Sequence, residues 1–483
     1  MKQNSPLRNV IAIVFGRAGE LILTFFAITL LIRYLGTSQY GIFTSAVATV
    51  TIFSKLLDLG FSQIVFREYS SSNDNSVYLH SAISFRVVLL VLFVIFFNLY
   101  AYLSELNSEE VIIINILFSN VIFASRFRNI RDLLEIPYKA KLRMDLVMFC
   151  TFLDNFLLLL LVVLGNYLNV TLIQLTVFYT IANLPGFFLL LYTLRKKNEY
   201  RYKFSLSNLK WLIFESLPLW GTGLLLALFL QLDVVIIKSL VSNEAAGLFS
   251  AAIRVGIPLA VVPLSIVTTI FPVLVKKREK DRKETQAIID FSFKILVLLL
   301  AYLSIIVSFK SSEILSLLYG EEFIVAADTL IFVIWSFTFY YINQLSQNLT
   351  TVIGKQKQSL YYSAILMFFY LAIIFLSIDK YGILGAGFAR LASSVVGFIY
   401  FYVFFSKSEF TTNIISYKSM LLFLLLIGGG YFLDALDFFI YIGVFTVYIV
   451  FLIVILSYFN TTDKLLLFKF LKEPKWLKNL LRI

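Results

Sequence analysis

Ile32-Arg33-Tyr34-Leu35-Gly36-Thr37-Ser38-Gln39-Tyr40-Gly41-Ile42-Phe43-Thr44-Ser45-Ala46 is a short polar turn between two long apolar runs. Gly36 can end a helix, because glycine takes the left-handed backbone at little cost. Thr37 or Ser38 can cap the helix that follows. A weaker copy, Ile237-Lys238-Ser239-Leu240-Val241-Ser242-Asn243-Glu244-Ala245-Ala246-Gly247-Leu248-Phe249-Ser250-Ala251, lies further on. Gly41 aligns with Gly247 and Phe43 with Phe249, a shift of 206 residues (41 to 247). The basic residue aligns only across a one-residue gap, and Val241 stands where a glycine would close the second turn. An echo at this distance predicts a duplicated architecture.

The surroundings of the turn decide its solvent. The chain has 483 residues, 60% hydrophobic and 14% charged, whereas a soluble domain is roughly half apolar and about a quarter charged. The excess, including 50 phenylalanines, has to face lipid, so an all-α integral membrane protein is expected. The lone cysteine, Cys150, excludes an internal disulfide, and the lone histidine, His80, argues against a histidine metal site. No metal or cofactor is expected. A net charge of +12 does not call for nucleic acid, because lysines and arginines in cytoplasmic loops produce the same sum.

A crossing helix needs about 20 apolar residues. Fourteen runs qualify, near 10–32, 41–61, 81–102, 111–125, 146–165, 171–193, 212–236, 246–274, 288–309, 324–345, 359–378, 383–405, 417–433 and 438–458. With the N-terminus cytoplasmic, the outer loops carry only Arg33, Lys238, Lys310 and Lys380. The other basic residues fall in the inner loops and the termini, apart from six within spans. That bias persists to the last helix, which requires an even count with both termini inside. The expected organisation is a six-helix lobe over 1–205 and a second over 206–408, in parallel repeat around a central cavity. Two further helices over 409–460 and an amphipathic basic tail over 461–483, lying on the inner membrane face, complete it.

Several pieces resemble a known family. Leu35-Gly36, Tyr40-Gly41 and Leu59-Gly60 frame the first two spans. Leu217-Pro218, Gln231-Leu232-Asp233, Ala246-Gly247-Leu248-Phe249-Ser250-Ala251-Ala252 and Phe271-Pro272 follow in order. Leu318-Tyr319-Gly320-Glu321-Glu322-Phe323 and Tyr381-Gly382-Ile383-Leu384-Gly385-Ala386-Gly387 complete the set. Together they resemble the polysaccharide (O-antigen and capsule) flippases of the multidrug/oligosaccharidyl-lipid/polysaccharide exporter superfamily. The resemblance implies a flippase for undecaprenyl-pyrophosphate-linked oligosaccharide. It would move that substrate from the cytoplasmic to the periplasmic leaflet of a bacterial inner membrane by alternating access. A polysaccharide polymerase and a chain-length regulator are the protein partners implied. A multidrug or small-amphiphile exporter is the alternative on the same fold. A membrane polysaccharide polymerase is disfavoured, because the outer loops are too short and too poor in arginine. No Gly-x4-Gly-Lys-Ser/Thr loop appears, which argues against direct ATP drive.

Ionisable groups inside a bilayer are costly and mark pathways or partners. Arg17, Arg254 and Arg390 could present paired donors to a pyrophosphate. Lys55 and Lys294 could add charge, and Asn343 and Gln347 share a helix face that suits sugar hydroxyls. Ion pairs at Arg17–Glu20, Lys55–Asp58 and Asp233–Arg254 are the bland reading, with Arg86 and Lys294 snorkelling to the inner surface. For ion coupling the candidates are Asp154, Glu20, Asp58 and Asp233. Asp154 stands out because no basic residue lies within one helical turn of it. Pro218, Pro258 and Pro263 are expected to kink the seventh and eighth spans.

Overall fold

The structure, a computed structural model, describes residues 6–71, 76–104, 107–196, 204–277, 281–411 and 417–470. Glu105, the loop over 197–203 and the tail beyond 470, with Pro474 and Trp476, lie outside the described residues. Among those described, the chain is almost entirely helical and contains no strand. Ten helices among the described residues are long and apolar enough to cross a membrane. Many of their large apolar side chains are exposed, among them Val91, Ile95, Phe96 and Leu99 along one helix, and Phe375 and Leu376 along another. In water such a surface would be untenable; in lipid it is the expected exterior. The chain is a multi-pass membrane protein.

Contacts divide the chain into two compact units, Met1–Ser250 and Ala251–Ile483. The first begins with α1 (Pro6–Asp58), α2 (Phe61–Ser71), α3 (Ser76–Leu103), α4 (Ser108–Phe123) and α5 (Ile130–Ala140). It continues through α6 (Met144–Leu168), α7 (Leu172–Ile181), α8 (Leu184–Lys196) and α9 (Leu206–Leu240) into α10 (Asn243–Gly256). The second contains α11 (Val261–Lys277), α12 (Arg282–Phe309), α13 (Ser311–Tyr319) and α14 (Ala327–Val352). It closes with α15 (Lys357–Ser406), α16 (Tyr417–Leu433), α17 (Phe438–Ile455) and α18 (Thr461–Phe470). The first unit runs on to Ser250 because α9 packs along α1, α2 and α3.

The turn at Gly36 is tighter than a loop. Hydrogen bonding continues along α1, and the break is a single residue, Gly36, at φ 66° and ψ −177°. Gly382 breaks α15 in the same way, at φ 53° and ψ −130°. Both positive φ values are ones that only glycine adopts without strain. At the echo the chain instead leaves α9 through Val241, at φ −116° and ψ −79°. A β-branched residue there enforces a different corner, as the missing glycine implies.

The turn and its echo touch. A Cβ on Gly41 would lie 1.7 Å from the Asn243 carbonyl oxygen, and one on Gly247 would lie 1.9 Å from the Thr37 carbonyl oxygen. Adding 206 to 37 gives 243, and adding it to 41 gives 247. The two contacts therefore exchange under the repeat shift, which is the isologous pattern of a local twofold relation. Glycine at both positions lets the two backbones approach as small residues do between membrane helices.

Proline acts unevenly. At Pro258 the helix passes into a 3-10 segment, Ile257–Ala260, which separates α10 from α11. By contrast α9 runs uninterrupted through position 218, so the expected kink of the seventh span does not take the form of a helix break.

A segment expected to be a basic loop, 126–143, contains α5. Its pattern explains why it folds inward. Leu133 and Ile136 join a cluster with Phe61, Val65 and Leu212, while Leu134 and Tyr138 join another with Met148, Phe187 and Leu190. Two apolar faces bury the helix on both sides, and its charged residues are carried in with them. In the second unit, Tyr441, Phe445 and Ile449 of α17 pack on Ile305 and Leu426, which anchors the last two long helices to α12.

Candidate functional site

Three elements of the first unit meet at the end of α1. The chain turns from α1 into α2 through Leu59 (φ 48°) and Gly60 (φ 71°). The turn presses against α9, where a Cβ on Gly60 would meet the Ser216 carbonyl oxygen at 2.9 Å and the Trp220 nitrogen at 3.0 Å. Trp220 donates its indole N–H to the Lys55 carbonyl at 3.1 Å. The third element enters just before α5, where Arg128 takes a left-handed conformation (φ 47°, ψ 52°). Asn129 donates to the Ser54 carbonyl at 2.7 Å, and Ser54 donates to the Phe127 carbonyl at 3.0 Å.

These elements enclose a cavity of about 320 Å³. Its charged lining is Arg17, Lys55, Arg128 and Lys139 against Asp58 and Asp132. Four cations face two carboxylates, so the charged lining carries a net positive charge. Arg17 pairs with Glu20 at 2.9 Å, and Lys55 with Asp58 at 3.3 Å. Lys139 pairs with Asp132 at 2.5 Å and with Glu135 at 3.1 Å. The Arg128 side chain is exposed to the cavity and makes no ion pair or hydrogen bond among the described residues. It can therefore offer all its donors to a ligand.

The electrostatics of α5 follow from burial and its neighbours. Burial would raise Asp132, but Lys139 and a hydrogen bond from Ser62 outweigh it and hold the carboxyl below its ordinary range. Burial likewise would lower Lys139, but Glu135 and Asp132 overcome it, so the ammonium stays charged well into alkali. For Glu135 burial wins, helped by the Asp132 charge and opposed by Lys139 and Arg131, and its carboxyl is raised.

Behind the cavity lies a fully buried layer. Arg86 is 0% exposed and pairs with the Asp58 carboxylate. It also donates to the carbonyls of Asp58 at 2.7 Å and Asn129 at 2.8 Å. The expected snorkelling of Arg86 is thus corrected: three acceptors inside the protein outcompete the membrane surface. Arg131, also 0% exposed, pairs with Asp154 and donates to the Phe123 carbonyl at 3.0 Å. The second Asp154 oxygen accepts from the Gly186 N–H at 3.0 Å. The isolation that singled out Asp154 holds only along its own helix, because α5 delivers an arginine to it.

The remaining candidates are dispersed. Asp233 is buried on α9. In the second unit, Lys294 does not snorkel freely but pairs with Asp463 of α18 at 2.6 Å. Asn343 is fully buried and donates to the Ser394 carbonyl at 2.9 Å, a bond between α14 and α15. Gln347 lies one turn further along α14 and is half-buried. Arg390, 1% exposed, sits over the Phe337 ring at 5.3 Å. Arg254 is half-buried on α10. Of the residues singled out in the sequence, the cavity brings together Arg17, Lys55 and Asp58. It adds Arg128, Asp132 and Lys139, which lie between the expected spans at 111–125 and 146–165. The segment does carry a helical signal: Arg131, Glu135 and Lys139 recur every four residues beside Leu133, Leu134 and Tyr138.

Comparison with known proteins agrees with this fold. Residues 7–278 match the family described as polysaccharide biosynthesis protein. A relative, the capsular polysaccharide biosynthesis protein CapF of Staphylococcus aureus, is 26% identical over 209 residues. That match spans 43% of this chain and 52% of CapF, about half the length of that relative. The structure of the lipid II flippase MurJ in an inward closed conformation superposes with a TM-score of 0.76 at 17% identity. It covers 93% of this chain and 98% of MurJ. A multidrug resistance MATE family transporter of the MOP superfamily, inward-facing, gives 0.64 at 13% identity, covering 80% and 94%. At such identities the likeness is one of fold, whereas the family match covers more than half of the chain: the protein belongs to the polysaccharide biosynthesis protein family, on the helical fold that MurJ and the MATE transporters share.

Proposed function

We propose that the chain is a flippase for undecaprenyl-diphosphate-linked oligosaccharide, and that the cavity at the end of α1 receives the diphosphate. The observation that carries this reading is the cationic excess of the cavity, with Arg128 unengaged at its wall. A diphosphate ester carries two negative charges and several acceptor oxygens. Arginine matches such oxygens with paired donors, and each charge-assisted bond contributes about 1.5–3 kcal/mol. Trp220 and Gln63, which also line the cavity, offer the sugar an aromatic face and an amide. The polyprenyl tail would remain in lipid.

The protein acts as a transporter and not as an enzyme, in a bacterial inner membrane with both termini cytoplasmic. Fourteen crossings in two parallel six-helix lobes, with two added helices, fit the ten long helices once the breaks at Gly36 and Gly382 and the shorter α4 and α16 are counted. Arg254, Arg390 and Gln347 stay as second-unit contacts for the substrate. Glu20, Asp58, Asp154 and Asp233 stay as candidates for ion coupling. A polymerase and a chain-length regulator would act on the product side.

The test is translocation in proteoliposomes of undecaprenyl diphosphate bearing a labelled sugar, scored by access of an external enzyme. Arg128→Ala should lower apparent affinity by about tenfold, from the loss of one charge-assisted bond. Its thermal stability should be unchanged, because no intramolecular bond is lost. Arg17→Ala should act in the same direction. Normal transport by both variants at matched reconstitution removes the diphosphate from this cavity. Transport of a cationic amphiphile in its place would favour the multidrug reading.

A further inference from the structure

The cavity is backed by a carboxyl group that headgroup binding alone does not require. Lys139 lies between two carboxylates of its own helix, 2.5 Å from Asp132 and 3.1 Å from Glu135. Asp132 lines the cavity, whereas Glu135 does not; its side chain is 8% exposed. Its Oε1 lies 3.6 Å from Arg131 Nε, too far for a hydrogen bond, and both atoms are otherwise without a partner. Arg131 cannot close that gap while Asp154 and the Phe123 carbonyl hold its other end. Lys139 is thus the cation within hydrogen-bond reach of Glu135, and Lys139 also lines the cavity.

The other groups around Glu135 come from several elements. On α5 itself Arg131, Asp132 and Lys139 act on Glu135. From α6 comes the Cys150 thiol, with Asp154 beyond Arg131. From α3, Arg86 acts on Asp132. α2 contributes the Ser62 hydroxyl, which bonds to Asp132. α4 contributes the Phe123 carbonyl, and α8 the Leu190 carbonyl that accepts from Tyr138.

We propose that Glu135 is a proton acceptor linked to substrate binding: a diphosphate in the cavity draws the Lys139 ammonium to its own oxygens, and Glu135, left buried without that cation, takes one proton from solvent. The step rests on the diphosphate reading of the cavity. Its physical basis is that an isolated buried carboxylate neutralises rather than stay charged. Glu135 already tends that way through burial, even with Lys139 in place. Asp132, which faces the cavity and keeps the Ser62 hydrogen bond and the Arg86 charge, draws Lys139 back when the headgroup departs, at which point the proton is released. Binding and proton uptake are then one event, and affinity rises as pH falls.

The experiment uses the full chain in nanodiscs and undecaprenyl diphosphate bearing one N-acetylglucosamine. Both phosphates of this probe are esterified, so it does not itself titrate near neutral pH. Calorimetry in buffers of different ionisation heat counts the protons bound. The wild type should take up as much as one proton per probe, with affinity gaining up to about tenfold for each pH unit lowered within the window. Glu135→Gln should bind without uptake and with a flat pH profile. On the wild type, infrared difference spectra should show a new protonated carboxyl band on binding, which serves if Glu135→Gln fails to fold. Binding without proton uptake, uptake that survives in Glu135→Gln, or the absence of that band overturns the inference and leaves the headgroup site standing. No binding of the probe by the wild type overturns both.

Discussion

Gly41→Ala and Gly247→Ala are each expected to cost more than about 3 kcal/mol of stability, beyond the usual range for overpacking. The reason is the identity of the obstructing atoms. The new methyl would lie 1.7 Å from the Asn243 carbonyl oxygen in one case and 1.9 Å from the Thr37 carbonyl oxygen in the other. A flexible side chain could swing aside, but a helix carbonyl moves only with its helix. The two turns would have to part, losing a close approach that lipid does not replace. Gly443→Ala is the control, since nothing lies within 4 Å of its would-be Cβ. In a helix interior that change should be neutral or stabilise by up to about 1 kcal/mol. Thermal unfolding of the purified variants in one detergent reads the difference. Wild-type stability in both Gly41→Ala and Gly247→Ala would mean the two turns do not meet.

The second large effect is expected at Arg131. Arg131→Ala leaves Asp154, 1% exposed, facing an empty space where its cation stood. Breaking a buried pair from one side costs about 3–5 kcal/mol, because the remaining charge is uncompensated. The same deletion removes the tie between α5 and the end of α4 at Phe123, so α5 should loosen and the cavity wall with it. A double variant, Arg131→Met with Asp154→Leu, should recover much of the loss, since both charges are removed together. Stability and yield of the two variants measure this. An Arg131→Ala protein as stable as the wild type would show that Asp154 is solvated rather than buried.

The family-level picture was legible because lipid imposes a simple rule on composition. Apolar runs of crossing length, and the glycines at 36 and 382, could be read directly. The structure places helix breaks at both glycines. Arg17, Lys55 and Asp58 were legible for a related reason: a charge in an apolar run is conspicuous. Arg128, Asp132 and Lys139 were not, because the segment around them is rich in basic residues and reads as solvated loop. What hid them is that α5 buries two apolar faces and draws its charges in, an outcome that depends on partners in α2, α6, α8 and α9.

The same limit applies to pairing. Local spacing identifies Arg17 with Glu20 and Lys55 with Asp58, since residues three apart share a helix face. It is silent on Arg86 with Asp58, Arg131 with Asp154 and Lys294 with Asp463, whose partners lie 28, 23 and 169 residues away. The amino-acid order alone thus settles the membrane class, the breaks and the echo of the opening turn, because these follow from local chemistry and solvent. Only the folded chain decides that the turn and its echo press backbone to backbone, and which buried cation answers which carboxylate. Those outcomes depend on distances between segments remote in sequence, which no local pattern encodes.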